Sequence, residues 1–288
     1  MPPAVTAILT THNNPRALQL CLMGYAMQDT RDFAVLIADD GSRDDTREAI
    51  AASRAMLASV APWLRIGHLW QPHRGYYGKP AIVNKAIVRA ESDYLILADG
   101  DVVPRQDYVR THLELRRPRK FLAGGDYRLS DAATKALTMD DVQSGRAFDK
   151  AFLISIGQPR TKKMIKLTRR GLFTRVLDAV NVSPARWSGS NASCWKQMLM
   201  EVNGFDESFR GPGKDDTELG QRLWNAGYGS AHVRHNAIVL HLEHGQGNYN
   251  EERRRTNLAL LADTRATGRT RARIGISERV DDSREDWG

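Results

Sequence analysis

The segment 94–104 reads YLILADGDVVP, an apolar run that ends in two acids one residue apart, Asp99 and Asp101. To stop a strand, the glycine between them is enough. In extended chain, side chains at i and i+2 point the same way, so both carboxylates can converge on one cation while Gly100 lets a ligand approach the backbone. A hard cation such as Mg²⁺ takes one or two carboxylates and fills its remaining positions with water and phosphate oxygens. The plainer reading is an acidic turn in which Asp and Gly serve backbone geometry. A second acidic pair, Asp39 and Asp40 in ADDGSRDDT, again follows an apolar run. A carboxylate there can accept a hydrogen bond from the imide N–H of a uracil ring or from a ribose hydroxyl. Turn and helix-cap roles account for Asp44 and Asp45 but leave Asp39 and Asp40 unused.

A third group lies in GFDESFRGPGKDDTELGQRL. Asp215 reads as a helix cap and Glu218 as its capping-box partner. Asp216 is left over in the first turn, where the helix N-terminus stabilises its charge, and it follows a Gly/Pro loop able to close over a substrate. That leaves it free to act as a base whose activity depends on position more than on basicity. Finally, IVLHLEHG places His241 and His244 at and beyond the end of an apolar run. A histidine in such a place serves either a hydrogen bond or a metal. If a histidine joins the cation at Asp99 and Asp101, His241 is the choice, and an imidazole ligand favours Mn²⁺. His68, His73 and His112 receive no role.

These groups must be positioned by the elements around them. The first 110 residues alternate strand and helix signals at the spacing of βαβ units. AVTAILT, FAVLIA, RIGHLW and YLILA read as strands, and helices are expected from Asn14–Pro15 to about Met27, from Asp44 or Asp45 to about Leu57, and over KPAIVNKAIVRA. Continuous apolar strands joined by helical crossovers imply a parallel sheet covered on both faces, with ligands bound beyond the carboxyl ends of the strands. The loops TTHNN, DDGS and DGD leave those ends. After Phe121 the pattern loosens: FLAGGDYRLS reads as a strand into a glycine turn, the region to 180 as mainly helical, GSNASCW as a short strand, the segments ending at Gly204 and Gly227 as helices, and AIVLHLEHG as a late strand.

A chain of 288 residues, 41% hydrophobic and 26% charged, holds enough apolar material for a large core and does not read as disordered. No apolar stretch approaches the roughly 18 residues that span a bilayer, and the N-terminus lacks the pattern of a signal peptide, so a cytoplasmic location is expected. Cys21 and Cys194 sit in apolar surroundings and are expected as buried, reduced thiols. The net charge of +8, with pI near 9.6, favours polyanionic partners. The basic stretches 159–177 and 252–275 do not interleave aromatics, and no nucleic-acid-binding signature is present. The first of them has the composition of an amphipathic helix suited to an acidic bilayer surface or a lipid-linked acceptor, and equally that of a core-facing helix with a solvated basic side. The last residues mix acids and bases and are expected as a loose tail.

Taken in order, AILTTHNNPRALQLCL, LIADDGSRDDT, RGYYGKPAIVNKAI, LILADGDVVP and GSNASCWKQMLMEVNGFDESFRGPGKDDTELGQRLWNAG resemble glycosyltransferase family 2, inverting nucleotide-sugar enzymes of the GT-A fold. The resemblance spans roughly residues 4–245 and implies an α/β, Rossmann-like, mostly parallel sheet flanked by helices, with a smaller C-terminal acceptor-binding part. The implied organisation is a donor half at 1–120, an acceptor-binding and catalytic half at 121–263, and the tail at 264–288. The resemblance also implies that Thr10, His12 and Asp40 cradle the nucleotide and that Arg74, Lys79 and Asn84 face the diphosphate and sugar. Asp99 and Asp101 match its DxD metal motif, with Asp99 also toward the donor, and His241 matches a third ligand to Mn²⁺ or Mg²⁺. Asp216 matches the second acid of a pair usually written ED and here DD, and is the implied general base. The implied partners are a nucleoside-diphosphate sugar, with a UDP-hexose expected, and a glycan or lipid-linked acceptor in bacterial surface polysaccharide or lipopolysaccharide synthesis. Peripheral contact with the inner face of an anionic membrane is a further expectation, and a nucleic acid partner is not expected. Two other readings share the sheet and the acids. A sugar-1-phosphate nucleotidyltransferase is disfavoured because TTHNNP lacks a glycine-rich, basic triphosphate loop. A catalytically silent nucleotide-sugar-binding protein is disfavoured because the acids are intact.

Overall fold

The computed structural model describes residues 1–181, 183–244, 250–278 and 281–287. Nine strands, β1 (Val5–Thr11), β2 (Phe33–Asp39), β3 (Arg65–Trp70), β4 (Tyr94–Asp99), β5 (Val102–Pro104), β6 (Lys120–Arg128), β7 (Ala192–Trp195), β8 (Gly229–His241) and β9 (Arg284–Asp286), form one sheet. Their order is β5-β8-β6-β7-β4-β1-β2-β3-β9. The parallel arrangement expected from the βαβ spacing holds for β4, β1, β2 and β3, whose crossovers are α1 (Pro15–Ala26), α2 (Asp44–Val60) and α3 (Lys79–Arg89). Beyond them the sheet is mixed: β7 runs antiparallel to β4 and β6, β5 antiparallel to β8, and β6 parallel to β8.

Alternation along the strands supplies both cores. Val5, Ala7, Leu9, Val35, Ile37 and Ile96 face a cluster with Leu18, Leu22 and Ile50 of α1 and α2. Ile8, Leu36, Ala38, Leu69, Leu95 and Leu97 face the opposite cluster with Ile82, Val83 and Ile87 of α3 and with Leu219 and Leu223. Each such Val, Leu or Ile side chain buried contributes about 1.5–3 kcal/mol. This burial on both faces explains why the strands read as continuous apolar runs. Both cysteines are buried and free.

The loops expected at the sheet's edge do converge. β1 lies between β2 and β4, with Thr10 opposite Asp99 and Thr11 opposite Asp39. β5 then turns back along β8, with Val102 opposite His241, and so carries the DGD turn to the histidine end of β8. The late strand begins well before the apolar run that announced it, at Gly229, and the glycine after His244 lies outside the described residues.

Two expectations are corrected. The segment 264–288 was expected to be loose. Its first residues complete a helix (Glu251–Thr267), and β9 pairs antiparallel with β3 at the sheet edge. Its mixed charge is not merely solvated, because Asp286 pairs with Arg54, Asp281 and Glu285 with Arg89, and Asp282 with Arg74 and Lys85. Residues 279, 280 and 288 lie outside the described set. The stretch 159–177 is not one helix either. A 3₁₀ turn at Lys162–Leu167 buries Met164 and Leu167, and a separate helix runs over Leu172–Ala179 after Gly171. Among the described residues no helix is long and apolar enough to cross a membrane.

Candidate active site

Asp99 and Asp101 do not face the same partners, as the i, i+2 rule suggested they would. β4 ends at Asp99, and Gly100–Asp101 is a turn in which the Gly100 N–H donates to the Thr10 carbonyl at 2.7 Å, so the strand's period no longer applies. Asp99 accepts from Lys79 Nζ at 2.6 Å and Thr10 Oγ1 at 2.9 Å. Burial works against its charge, but Lys79 and Thr10 outweigh that and hold its pKa below the usual carboxylate range. Lys79, the first residue of α3, is likewise disfavoured as an ion by burial. Asp99, Asp216 and Asp215 more than compensate and keep its ammonium well above the ordinary lysine value.

Asp101 turns the other way, toward β8. Its Oδ2 is 2.9 Å from His244 Nε2 and 3.7 Å from His241 Nε2. One ligating atom from each of Asp101, His241 and His244 lies within 4.8 Å of the others. Asp101 Oδ1 and His241 Nδ1 are buried without a hydrogen-bond partner among the described residues. Orphaned buried polar atoms are costly unless something satisfies them, and a carboxylate with two imidazoles suits Mn²⁺ or a similar divalent ion. The donor set thus fits a metal, with His244 in the place expected for Asp99. The signal for His244 was its spacing of three from His241, and only the turn after β8 shows that both rings meet one carboxylate.

Asp216 stands on the other side of Lys79. The Asp215–Asn225 helix starts after Lys214, which takes the cap position in the left-handed region (φ 76°), so Asp215 is not the cap. Instead Asp215 is buried, and the Tyr77 hydroxyl donates to its Oδ2 at 3.3 Å. Glu218 forms no capping box. It pairs with the fully buried Arg222, whose Nη1 donates to the carbonyls of Val202 and Gly204, and it accepts from Thr264. The loop before the helix is pinned by Asn257 Nδ2, which donates to the Gly211 and Gly213 carbonyls. Asp216 accepts from the Gly189 N–H, while its Oδ1 is buried and unpartnered. A Cβ at Gly189 would run into this carboxylate, so only glycine lets the backbone come so close. Burial raises the Asp216 pKa. Lys79 opposes that, Asp215 and Asp99 add to it, and the result is about 7. The sequence-based expectation of a base with lowered pKa is therefore reversed, because burial and two neighbouring acids outweigh the helix end.

The remaining expected donor residues divide. Thr10, Lys79 and Asp99 form the hydrogen-bonded group already described. His12 stacks on His73 with ring centroids 4.9 Å apart, and its Nδ1 lies 2.9 Å from the Asp40 carbonyl. His73, unassigned from sequence, thereby joins the loop that leaves β1. The Asp40 carboxylate turns inward, accepting from Gln71 Nε2 at 2.7 Å and the Gly78 N–H at 2.6 Å. Burial, only partly offset by these bonds, raises its pKa. Asp40 thus sets the start of α3, and with it Lys79. Arg74 reaches Asp282 of the C-terminal segment at 2.6 Å. Asn84 is not at the cleft at all: it is fully buried, receiving the Phe205 N–H and donating to the Phe205 carbonyl and Glu207. Asp39 and His68 pair at 3.0 Å in the sheet. His112 is buried against Ser193 and Asn191, and burial lowers its pKa to about 4.

Residues 6–152 match the family model described as glycosyl transferase family 2, and residues 179–245 match one described as the N-terminal domain of galactosyltransferase. The chain is 23% identical over 234 residues to a chondroitin synthase of Escherichia coli, a match that covers 77% of this chain and 32% of that one. It thus spans about a third of that relative's length. Among solved structures, a mannosyltransferase of Pyrobaculum calidifontis in complex with GDP-Man and Mn²⁺ superposes with TM-score 0.61 at 17% identity, over 93% of this chain and 65% of that one. GalNAc-T7 with UDP, GalNAc and Mn²⁺ superposes with TM-score 0.54 at 13% identity, over 86% and 45%. Both share the mixed sheet flanked by helices of the GT-A type.

Proposed function

Because the chain belongs to glycosyltransferase family 2, we propose that it transfers a sugar, with inversion, from a nucleoside diphosphate to an acceptor hydroxyl, using Asp216 as base and the residues 1–120 as its donor half. The observation that carries this reading is the pairing of Lys79 with Asp99 between a metal-type cluster at the DGD turn and Asp216, a protonatable carboxylate whose Oδ1 has no partner among the described residues. Asp216 would take the proton as the acceptor oxygen attacks the anomeric carbon and the bond to the diphosphate breaks from the opposite face. Lys79 would place positive charge beside the leaving group. Asp101, His241 and His244 would hold Mn²⁺ or Mg²⁺, whose charge offsets that of the departing diphosphate. The stacked rings of His12 and His73 offer an aromatic surface to the base. A UDP-hexose donor and an acceptor in bacterial surface polysaccharide or lipopolysaccharide are the specific expectations. Calorimetric titration with UDP, GDP and dTDP, each with and without Mn²⁺, tests the reading and names the base. One nucleotide should bind in a metal-dependent manner, and heat from none of the three would overturn the donor site.

A second observation bears on location. On the Leu172–Ala179 helix and just after it, Leu172, Phe173, Val176 and Val180 are 80%, 54%, 48% and 66% exposed. The exposed Arg169 and Arg175 stand beside them, while Arg170 pairs with Glu114. An exposed apolar face rimmed by cations is complementary to an anionic bilayer. The protein should float with vesicles containing anionic phospholipid, and Leu172→Ser with Phe173→Ser should abolish this. Wild-type protein that stays at the bottom of the gradient rules membrane contact out.

A further inference from the structure

A cavity of about 530 Å³ is walled in part by Ser188, the residue before the Gly189 that lies against the proposed base. Gly124, Gly125 and Asp126 of β6 form part of its wall, with Ser188 and the side chains of Trp224 and His232. It meets the site at two points. Asp126 Oδ2 is 3.9 Å from His241 Nδ1, and Ser188 precedes Gly189, whose N–H holds Asp216. An acceptor lying here would sit beside the Ser188–Gly189 segment that packs against Asp216.

The charge of the wall is one-sided. Lys166, Arg186, Arg234 and Arg265 line it, against the single carboxylate of Asp126. Lys166 already uses Asp126, donating to its carbonyl at 2.8 Å and lying 3.9 Å from its carboxylate. Arg186, Arg234 and Arg265 have no carboxylate within 4.0 Å among the described residues. Arg234 turns Nη2 toward the His232 ring nitrogens, at 3.0 and 3.2 Å, and His232 Nε2 is 2.9 Å from the Ser183 carbonyl. Burial lowers the His232 pKa and Arg234 lowers it further, so the ring is a neutral support for the guanidinium. Lys166 is disfavoured as an ion by burial and by Arg234 and Lys163, with Asp126 opposing. Guanidinium groups match carboxylate and phosphate in bidentate geometry, and three of them on one wall, Arg234 half-buried and Arg186 and Arg265 exposed at the mouth, give an entering anion several partners.

Building on the transferase reading, we propose that this cavity receives the acceptor and that the acceptor carries an anionic group, a carboxylate or a phosphate, held by Arg186, Arg234 and Arg265. Transfer to three matched acceptors, a methyl hexoside, its hexuronide and its 6-phosphate, tests this and separates the two sources of charge. At least one charged acceptor should show a KM about tenfold or more below that of the neutral one. The double variant Arg186→Gln/Arg234→Gln should raise the charged KM about tenfold and leave the neutral KM nearly unchanged. Equal use of all three acceptors, or an equal loss for all three in the double variant, overturns the proposal.

A binding arm covers the case in which none of these sugars has the right stereochemistry for transfer. Glucuronate or glucose 6-phosphate should quench Trp224 fluorescence saturably, glucose should not, and the double variant should lose the response. Trp224→Phe assigns the signal, and no quenching by either anion overturns the proposal. Failure of the transferase reading looks different, because wild-type protein would then release no nucleoside diphosphate from any donor, even slowly to water.

Discussion

Replacing Asp216 with asparagine should lower kcat by about 10²- to 10⁴-fold while donor nucleotide affinity stays within a few-fold, as measured by steady-state kinetics and calorimetry. The amide keeps the shape and can still accept from Gly189, but it cannot take a proton. The pH profile checks the same residue in the unaltered protein. The base works ionised, and burial with Asp215 and Asp99 holds its pKa near 7, so the rate should climb through pH 7 and level above it. Stability should move in the opposite sense. The folded-state pKa lies above the ordinary 3.8, so between those values the folded protein binds more protons than the unfolded chain, and ionisation weakens folding as pH rises. Asp216→Asn removes that penalty, and its Tm should exceed that of wild type at pH 8 by several degrees, with little difference at pH 4. Equal loss of turnover and nucleotide binding would show that Asp216 only shapes the cleft.

Asp101→Ala should remove the metal dependence of donor binding and cost about a hundredfold or more in kcat/KM. The carboxylate is the shared partner of His241 and His244, and its buried Oδ1 has no other partner among the described residues. Without it two imidazoles remain, one of them half exposed, as a weak pair of ligands. Free Mn²⁺ measured by electron paramagnetic resonance reports the loss directly, apart from any turnover. Asp99→Ala gives a contrast, because Asp99 is hydrogen-bonded to Lys79 and Thr10: it should perturb Lys79 and leave Mn²⁺ affinity within a few-fold. If the two variants lose Mn²⁺ alike, both acids bind the ion and the separation at the turn has no bearing on metal binding.

The sequence carried the parts of this protein that depend on local period and local chemistry. Continuous apolar runs separated by helical signals predicted β1 to β4 and their crossovers, because strands buried on both faces must be apolar throughout. The loops after those strands, the leftover carboxylate at Asp216 and a histidine near the DGD turn were legible for the same reason, since polar groups left over after turns and caps are satisfied stand out. What the sequence could not determine was which way each side chain faces once the chain turns or meets a distant segment. The turn at Gly100 sends Asp99 to Lys79 and Asp101 to β8, separating two acids that extended chain would align. Asn84 turns inward to Phe205, and Glu218 pairs with Arg222 in place of capping its helix. Arg74 meets Asp282, from a tail whose mixed charges gave no sign of pairing. The shift of Asp216 toward neutrality has the same origin. Its first-turn position predicted a lowered pKa, but burial beside Asp215 and Asp99 is a property of the packed molecule, and at such range the low dielectric of the interior outweighs a helix end.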